Sequence, residues 1–294
     1  MPTGRRIIAQ TILQVLGKLA GIGLGVASIA IITRALGVEG FGRYATIMAY
    51  LQFFGIAVDL GLNVMTPTLL AEVQDAGVEV RSRVLSNIFT MRLVAAAIVF
   101  TLAVLGALFI PTYSVDVRIG IAFASFSFLA IVLTQILQAP FQVAAEMHWP
   151  AVAEVIGRCV LVAGVGAVAW AGFGLHAIVL ATVIANIVAF AITLRGVRRV
   201  LPMHLAFDTV LWRSMLTRSW PIALSIIFNL VYLRADQVIL SVLRPAVDVG
   251  LYAAPYRIID VFTQFPHLLM GLVLPMLVAA WAAGDRVAFG RRLQ

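Results

Sequence analysis

The chain has 294 residues, of which 62% are hydrophobic and only 12% are charged. A soluble domain carries about twice that share of charge, and no water-soluble fold of this size buries so much apolar surface, so the composition excludes a soluble protein. The net charge of +8 lies in short arginine-containing connections between apolar blocks, which favours anionic membrane lipids as partners over nucleic acid.

Apolar blocks of about 20 residues, the length that crosses a hydrocarbon core, recur along the whole chain. The pattern predicts an all-α polytopic bundle of about eight transmembrane helices, over residues 11–33, 43–64, 91–110, 119–141, 151–172, 176–194, 220–243 and 252–278. The first block follows Arg5 and Arg6 but is too long for the h-region of a signal peptide. Cys159 is the only cysteine, so no intrachain disulfide can form.

The connections are short on one side of the predicted bundle and longer and more basic on the other. With the N-terminus in the cytoplasm, the outside loops hold three arginines (Arg34, Arg118 and Arg244). The inside segments then hold twelve: Arg5, Arg6, Arg81, Arg83, Arg195, Arg198, Arg199, Arg213, Arg218, Arg286, Arg291 and Arg292. The positive-inside rule therefore predicts a multi-pass protein of the cell inner membrane with a cytoplasmic N-terminus.

An internal repeat appears when the start of the chain is compared with its end at a shift of 208 residues. Gly42-Arg43-Tyr44-Ala45 then falls on Gly250-Leu251-Tyr252-Ala253, Phe54 on Phe262 and Pro67 on Pro275. A repeat of six helices predicts two lobes with a pathway between them, a first lobe over 1–200 and the start of a second, truncated lobe over 201–294. A natural eight-helix protein is the alternative.

Eight ionisable residues lie well inside the predicted spans: Lys18, Asp59, Glu154, Arg158, Arg234, Asp236, Arg257 and Asp260. A charge at a helix centre costs about 2.5 to 3.5 kcal/mol on insertion scales, so these side chains must face protein or water. The simpler interpretation of Glu154 and Arg158, which are four residues apart, is a salt bridge that stabilises the bundle. The simpler interpretation of Asp236, near the end of its span, is likewise a structural role.

The last span carries a polar stripe, because Arg257, Asp260, Gln264 and His267 share one helix face. The repeat places Ala49, Gln52, Ile56 and Asp59 at the matching positions. The stripe predicts a water-filled cavity. A cavity that also contains Lys18 and Arg234 beside Arg257 would attract an anion such as a diphosphate. Alternatively, its carboxylates would take protons or sodium during transport.

Two motifs carry a family resemblance. The stretch Ile32 to Tyr44 with Leu60-Gly61-Leu62-Asn63, and the stretch Arg234 to Leu240 with Val249 to Ala254, resemble the opening hairpins of the two lobes of polysaccharide-biosynthesis flippases. These proteins form one branch of the multidrug/oligosaccharidyl-lipid/polysaccharide exporter superfamily. The resemblance implies outward transport of an undecaprenyl-diphosphate-linked oligosaccharide by alternating access, for O-antigen of lipopolysaccharide, capsule or exopolysaccharide.

By the same resemblance, Lys18, Arg234 and Arg257 are the candidates to hold the diphosphate. Asp59, Asp260, Gln264 and His267 are the candidate cavity or ion-coupling residues. Glycan polymerases and glycosyltransferases are the protein partners that it implies.

Three other functions stay open. A multidrug/cation antiporter of the same superfamily would use Asp59 or Asp260 as its ion site. A membrane-embedded glycosyltransferase or polymerase would need a catalytic carboxylate cluster or a large loop, which the sequence lacks, so we expect no enzyme. A non-transporting scaffold of a glycan-assembly complex would need no charged cavity. The sequence has no Walker A motif, dinucleotide fingerprint or metal-ligand spacing, and no cofactor is predicted.

Overall fold

The computed structural model describes residues 4–59, 61–144, 146–256, 259 and 262. They contain helices α1 (Gly4–Asp59), α2 (Leu62–Glu72), α3 (Val78–Leu108), α4 (Val115–Val143), α5 (His148–Trp170), α6 (Leu175–Val200) and α7 (Thr209–Leu243). Residues 246–256 form a further helix, α8, and no strand occurs in this part of the chain. The predicted all-α helix bundle is confirmed.

Five helical stretches are long and apolar enough to cross a membrane: Gly21–Glu72 and the helices α3, α4, α5 and α6. The stretch Gly21–Glu72 contains the second predicted span and residues 21–33 of the first. The predicted seventh span lies in α7, and most of the predicted eighth lies outside the described residues.

The helices α4, α5 and α6 alternate in direction. Gly157 of α5 packs against Ala189, and Gly164 against Ala181, so α5 and α6 are antiparallel. The Ser127 hydroxyl of α4 accepts a hydrogen bond from Asn186 of α6. Further along both helices Phe141 of α4 packs beside Gly196 of α6. Since α4 is therefore parallel to α6, it is antiparallel to α5.

The helix α1 reverses direction at Gly37, whose backbone is non-helical with φ 65° and ψ −175°. Before it, Gly21 packs on Glu154 and Gly25 on Arg158, so the first half of α1 is parallel to α5. After it, residues 47 and 55 pack on residues 120 and 128, so the second half is parallel to α4. The two halves are therefore the two antiparallel helices that the sequence predicts.

These directions give the bundle two ends. One, the arginine-rich end, contains the connections after α2, α4 and α6 and carries Arg81, Arg83, Arg195, Arg198, Arg199, Arg213 and Arg218. The other, the opposite end, contains Gly37 and the connections after α3, α5 and α7. Apolar cores fill both halves, around Ile47, Leu51 and Ile121 towards the opposite end and around Leu85, Ile88 and Leu137 towards the arginine-rich end.

The predicted start of the third span, residue 91, is wrong, because α3 begins at Val78. Its first turns carry Ser82, Ser86 and Thr90, which are buried against protein. Because these side chains are polar, a hydropathy pattern does not include them in a membrane-spanning helix. With 31 residues, α3 is about 46 Å long and exceeds the thickness of a hydrocarbon core.

Candidate functional site

A charged network is buried where α1 ends. Asp59, the last residue of α1, is 7% exposed, and Arg92 of α3 is fully buried. Arg92 Nη1 donates to Asp59 Oδ1 at 2.6 Å and to the Asp59 carbonyl oxygen at 2.7 Å. Its Nη2 donates to Gln135 Oε1 at 3.1 Å, and the same oxygen accepts from Asn63 Nδ2 at 3.0 Å. Four helices thus meet at one ion pair.

This network lies at the point where helix α1 ends and helix α2 begins. Gly61 there adopts φ 73°, a left-handed conformation that favours glycine. A Cβ at this position would lie 2.8 Å from the Ser219 carbonyl oxygen of α7. Arg92 donates to both the side chain and the carbonyl oxygen of Asp59. It therefore provides a hydrogen-bond partner for a backbone carbonyl that the end of α1 leaves without one.

Sequence reasoning missed Arg92, since the third span was placed from residue 91 and Arg92 then lay at a predicted membrane surface. In α3 it lies near the middle, 14 residues after Val78 and 16 before Leu108. The sequence signal for this earlier helix start is Gly77, the N-cap of α3, which has φ 88°. For Asp59, a role in ion coupling stays a prediction. The structure shows that its carboxylate is paired with Arg92.

The charges predicted on α5 lie against the glycine face of α1. A Cβ at Gly21 would lie 3.0 Å from Glu154 Oε1, and one at Gly25 would lie 3.9 Å from Arg158 Nη1. The two charged groups therefore reach successive turns of α1, and Lys18 lies in α1 one turn before Gly21. Small residues at these turns let the long polar side chains of α5 approach the α1 backbone.

The predicted residues of the second lobe are only partly described. Arg234 lies in α7, and the Asp236 carboxylate accepts hydrogen bonds from the hydroxyls of Tyr252, at 2.6 Å, and Tyr256. These bonds join α7 to α8, in agreement with a structural role for Asp236. Arg257, Asp260, Gln264 and His267 lie outside the described residues, so the predicted polar stripe stays a prediction.

The repeat-related hairpins touch at the opposite end of the bundle. A Cβ at Gly42 would lie 1.7 Å from the Ala246 carbonyl oxygen, and a Cβ at Gly250 would lie 2.4 Å from the Val38 carbonyl oxygen. Gly42 and Gly250 are 208 residues apart, and so are Val38 and Ala246. The contact is therefore reciprocal, as a contact across a two-fold axis is.

Further bonds hold the opposite end together. The hydroxyls of Tyr113, in the connection after α3, and Ser241 of α7 are 2.9 Å apart. Burial raises the pKa of the Tyr113 phenol above its ordinary value, and the bond to Ser241 opposes that rise. Arg43 donates to Glu39 at 2.6 Å and to Asp116 at 2.8 Å. At the opposite end, side-chain bonds thus join α7 to the α3–α4 connection, and the first hairpin to α4.

The connection between α6 and α7 is bound along α3 at the arginine-rich end. Ser82 donates to the Pro202 carbonyl oxygen, and the amides of His204 and Ala206 donate to Ser86 Oγ and Thr90 Oγ1 at 3.3 and 3.1 Å. The bonded residues of the connection are two positions apart, and their partners on α3 are four positions apart. Two extended residues span about 6.6 Å and four helical residues about 6 Å, so the spacings match.

Two ion pairs flank this connection. Arg83 donates to Asp208 at 2.8 Å and Arg218 to Glu72 at 2.7 Å. The backbone N–H of Leu211 and the guanidinium of Arg83 lower the pKa of the Asp208 carboxyl below its ordinary value. No group of three metal-ligating side chains occurs among the described residues.

A protein-family model described as Polysaccharide biosynthesis protein matches residues 7–281. The structure is similar to that of the MATE multidrug transporter DinF-BH in complex with R6G, with a TM-score of 0.61 and 13% identity over 95% of this chain and 64% of the transporter. A second solved structure, named protein A, gives a TM-score of 0.60 and 17% identity over 96% of this chain and 66% of its own. At these identities the likeness establishes the fold.

The chain spans just under two thirds of the length of both structures. No curated protein sequence matches it. The family match and the shared fold confirm the superfamily to which the two motifs pointed.

Proposed function

Because the chain belongs to the polysaccharide biosynthesis protein family, we propose that it takes part in flipping a lipid-linked oligosaccharide across the membrane. Flipping makes and breaks no covalent bond, so the chain need only bind the head group and expose it to one side at a time. The alternative as a membrane-embedded enzyme has no support in the family or in the fold.

The reciprocal contact of Gly42 with Gly250 is the observation that carries this proposal. It joins two sequence-related hairpins about an approximate two-fold axis, as expected where two lobes enclose a pathway. Alternating access requires a closure that can form at one end while the other end opens. This closure combines the backbone packing of Gly42 and Gly250 with the apolar contacts of α8, whose Val249 and Ala253 lie in the same buried cluster as Phe41. Opening this end separates glycines and small side chains of α8 from the first hairpin.

The head group of the proposed substrate is a diphosphate, which needs cationic donors at membrane depth. We assign this role to Lys18, Arg234 and Arg257, which lie on α1, on α7 and just after α8, the segments that carry the repeat-related hairpins. Guanidinium groups bind phosphate oxygens in a bidentate manner, and an ammonium adds a point charge. Asp59, Asp260, Gln264 and His267 are the proposed cavity and ion-coupling residues.

Binding of undecaprenyl diphosphate to the purified full chain, followed by native mass spectrometry, tests this assignment. Losing one charge-assisted hydrogen bond should weaken binding about tenfold or more, so Lys18→Gln, Arg234→Gln and Arg257→Gln each have this expected effect. Arg244→Gln, at the opposite end, is the matched control and should bind like the unchanged chain. Unchanged affinity in the triple variant would overturn the assignment.

The likeness to a multidrug transporter supports a second candidate, an antiporter for cationic drugs. The complex of that transporter contains R6G, so R6G uptake into proteoliposomes distinguishes the two functions. Uptake that depends on Asp59 or Asp260, without binding of undecaprenyl diphosphate, would favour the antiporter.

A further inference from the structure

The fixed connection between α6 and α7 gives the arginine-rich end an apolar outer surface. Since its backbone is bound to Ser86 and Thr90 of α3, the connection forms a wall of defined shape. Phe207, in the connection, is 69% exposed, and Val210, in the first turn of α7, is 79% exposed. Large apolar groups placed so at the end of a membrane bundle lie where the headgroup and acyl regions of the bilayer meet.

Two cavities open on this surface and share Thr209. The first, of about 370 Å³, is lined by polar side chains that include Arg83, Asn87 and His204. The second, of about 480 Å³, is lined mainly by apolar side chains that include Trp212 and Trp220. A polar cavity joined to an apolar groove has the shape and chemistry of a site for an amphiphile.

The charged groups of the two cavities select an anion. Arg83 and Arg213 contribute two positive charges, and Asp208 contributes one negative charge. Asp208 is already bound by Arg83 at 2.8 Å and by the Leu211 amide at 3.0 Å. Arg213, which lines the groove one turn after Thr209, is exposed, so its guanidinium is accessible to a phosphate group.

A buried acceptor lines the polar cavity. Asn87 is 1% exposed, and its amide nitrogen donates to the Arg83 carbonyl oxygen at 2.9 Å. No donor among the described residues reaches Asn87 Oδ1. An unsatisfied buried acceptor favours a ligand that brings a hydroxyl group.

We propose that the two cavities form one binding site for an anionic glycerophospholipid with a hydroxylated head group, such as phosphatidylglycerol. One acyl chain lies in the groove between Trp212 and Trp220, and Arg213 and Arg83 bind the phosphate. The head-group hydroxyls lie in the polar cavity with Asn87. The walls of this site are α3, the α6–α7 connection and the first turns of α7, up to Trp220. It is separate from the proposed transport site, because Arg234 lies 14 residues, or about 21 Å, further along α7.

Tryptophan quenching by brominated lipids in nanodiscs tests the site. The full chain with Trp149, Trp170 and Trp281 changed to phenylalanine keeps Trp212 and Trp220 as reporters. Brominated phosphatidylglycerol should quench them more than brominated phosphatidylcholine at the same mole fraction. The expected enrichment is roughly fivefold for each arginine that contacts the phosphate.

Arg83→Gln and Arg213→Gln should each reduce the preference, and Arg244→Gln, at the opposite end, should leave it unchanged. Thr209→Phe narrows the junction of the two cavities and should lower quenching by brominated phosphatidylglycerol without changing the charge. This variant tests the site even if the arginine variants do not fold. Equal quenching by both lipids, or a preference that survives loss of both arginines, would overturn the site. Added lipids that displace the brominated lipid should restore tryptophan fluorescence. If undecaprenyl phosphate restores it and unbrominated phosphatidylglycerol does not, the phospholipid site would be overturned and the cavities would belong to the transport substrate.

Discussion

Arg92 is the largest fully buried side chain of the described residues, and it lies near the middle of a membrane helix. A lone guanidinium that is fully buried is strongly unfavourable, so its bonds to Asp59 and Gln135 make its burial possible. The same bonds hold the end of α1 beside the left-handed residue Gly61. One side chain thus fixes the junction of four helices.

Replacing Arg92 by methionine should destabilise the fold, because the Asp59 carboxylate then stays buried without a counter-charge. Breaking one partner of a buried ion pair costs about 3 to 5 kcal/mol, whereas replacing both partners by apolar groups costs less. The free energy of unfolding in detergent, measured for Arg92→Met, Asp59→Leu and the double variant, checks this. A double variant whose loss equals the sum of the two single losses would show that the pair is not coupled.

Gly42 tolerates no side chain, because a Cβ there would overlap the Ala246 carbonyl oxygen. Gly42→Ala should therefore lower the unfolding free energy by about 1 to 3 kcal/mol, the usual cost of overpacking. Gly23→Ala is the matched control, since nothing lies within 4 Å of a Cβ at that helical position. Equal stability of the two variants would show that the hairpins do not pack as described.

At the scale of elements, the hydroxyls of α3 determine the path of the α6–α7 connection. Ser86→Ala removes the acceptor of the His204 amide, so the exchange of that amide with deuterium should become faster in the variant. Thr193→Ala is the control, because the Thr193 hydroxyl bonds only within its own helix, to Ala189. Hydrogen exchange by mass spectrometry measures both, and unchanged exchange at 201–208 in Ser86→Ala would contradict the role of this hydroxyl.

Most elements could be predicted from the sequence, because hydropathy reports the length of chain that faces lipid. It could not predict the first turns of α3, whose serines and threonines face protein, or the extension of the second helix to Glu72. The reversal at Gly37 was placed correctly between the first two spans. The hydrogen-bonded path of residues 201–208 depends on side chains of α3 more than 100 residues away, which no local pattern reports.

The candidate site was less predictable than the elements. A charge inside an apolar span is visible in the sequence, which is how Asp59, Glu154 and Arg158 were found. Which helices meet at that charge depends on tertiary packing, so the pairing of Asp59 with Arg92 was not predicted. The 208-residue repeat predicted two lobes with a pathway between them, but it did not predict that Gly42 and Gly250 pack against the other hairpin.

At the scale of the molecule, the arginine distribution predicts the orientation in the membrane. In a Cys159→Ser background, a cysteine replacing His204 marks the arginine-rich end and one replacing Phe173 marks the opposite end. A membrane-impermeant maleimide added to intact cells should label position 173, and position 204 should react only after the membrane is opened. Labelling at 204 in intact cells would reverse the orientation.

A leaflet-access measurement tests most directly whether the chain flips a lipid-linked oligosaccharide, as we propose. Liposomes that contain the full chain and a fluorescent undecaprenyl-diphosphate-linked oligosaccharide are treated with an impermeant reductant. We predict that reduction passes beyond the share of label in the outer leaflet, and that Arg257→Gln slows it while Arg244→Gln does not. Reduction that stops at the outer-leaflet share, as in vesicles without protein, would contradict the account.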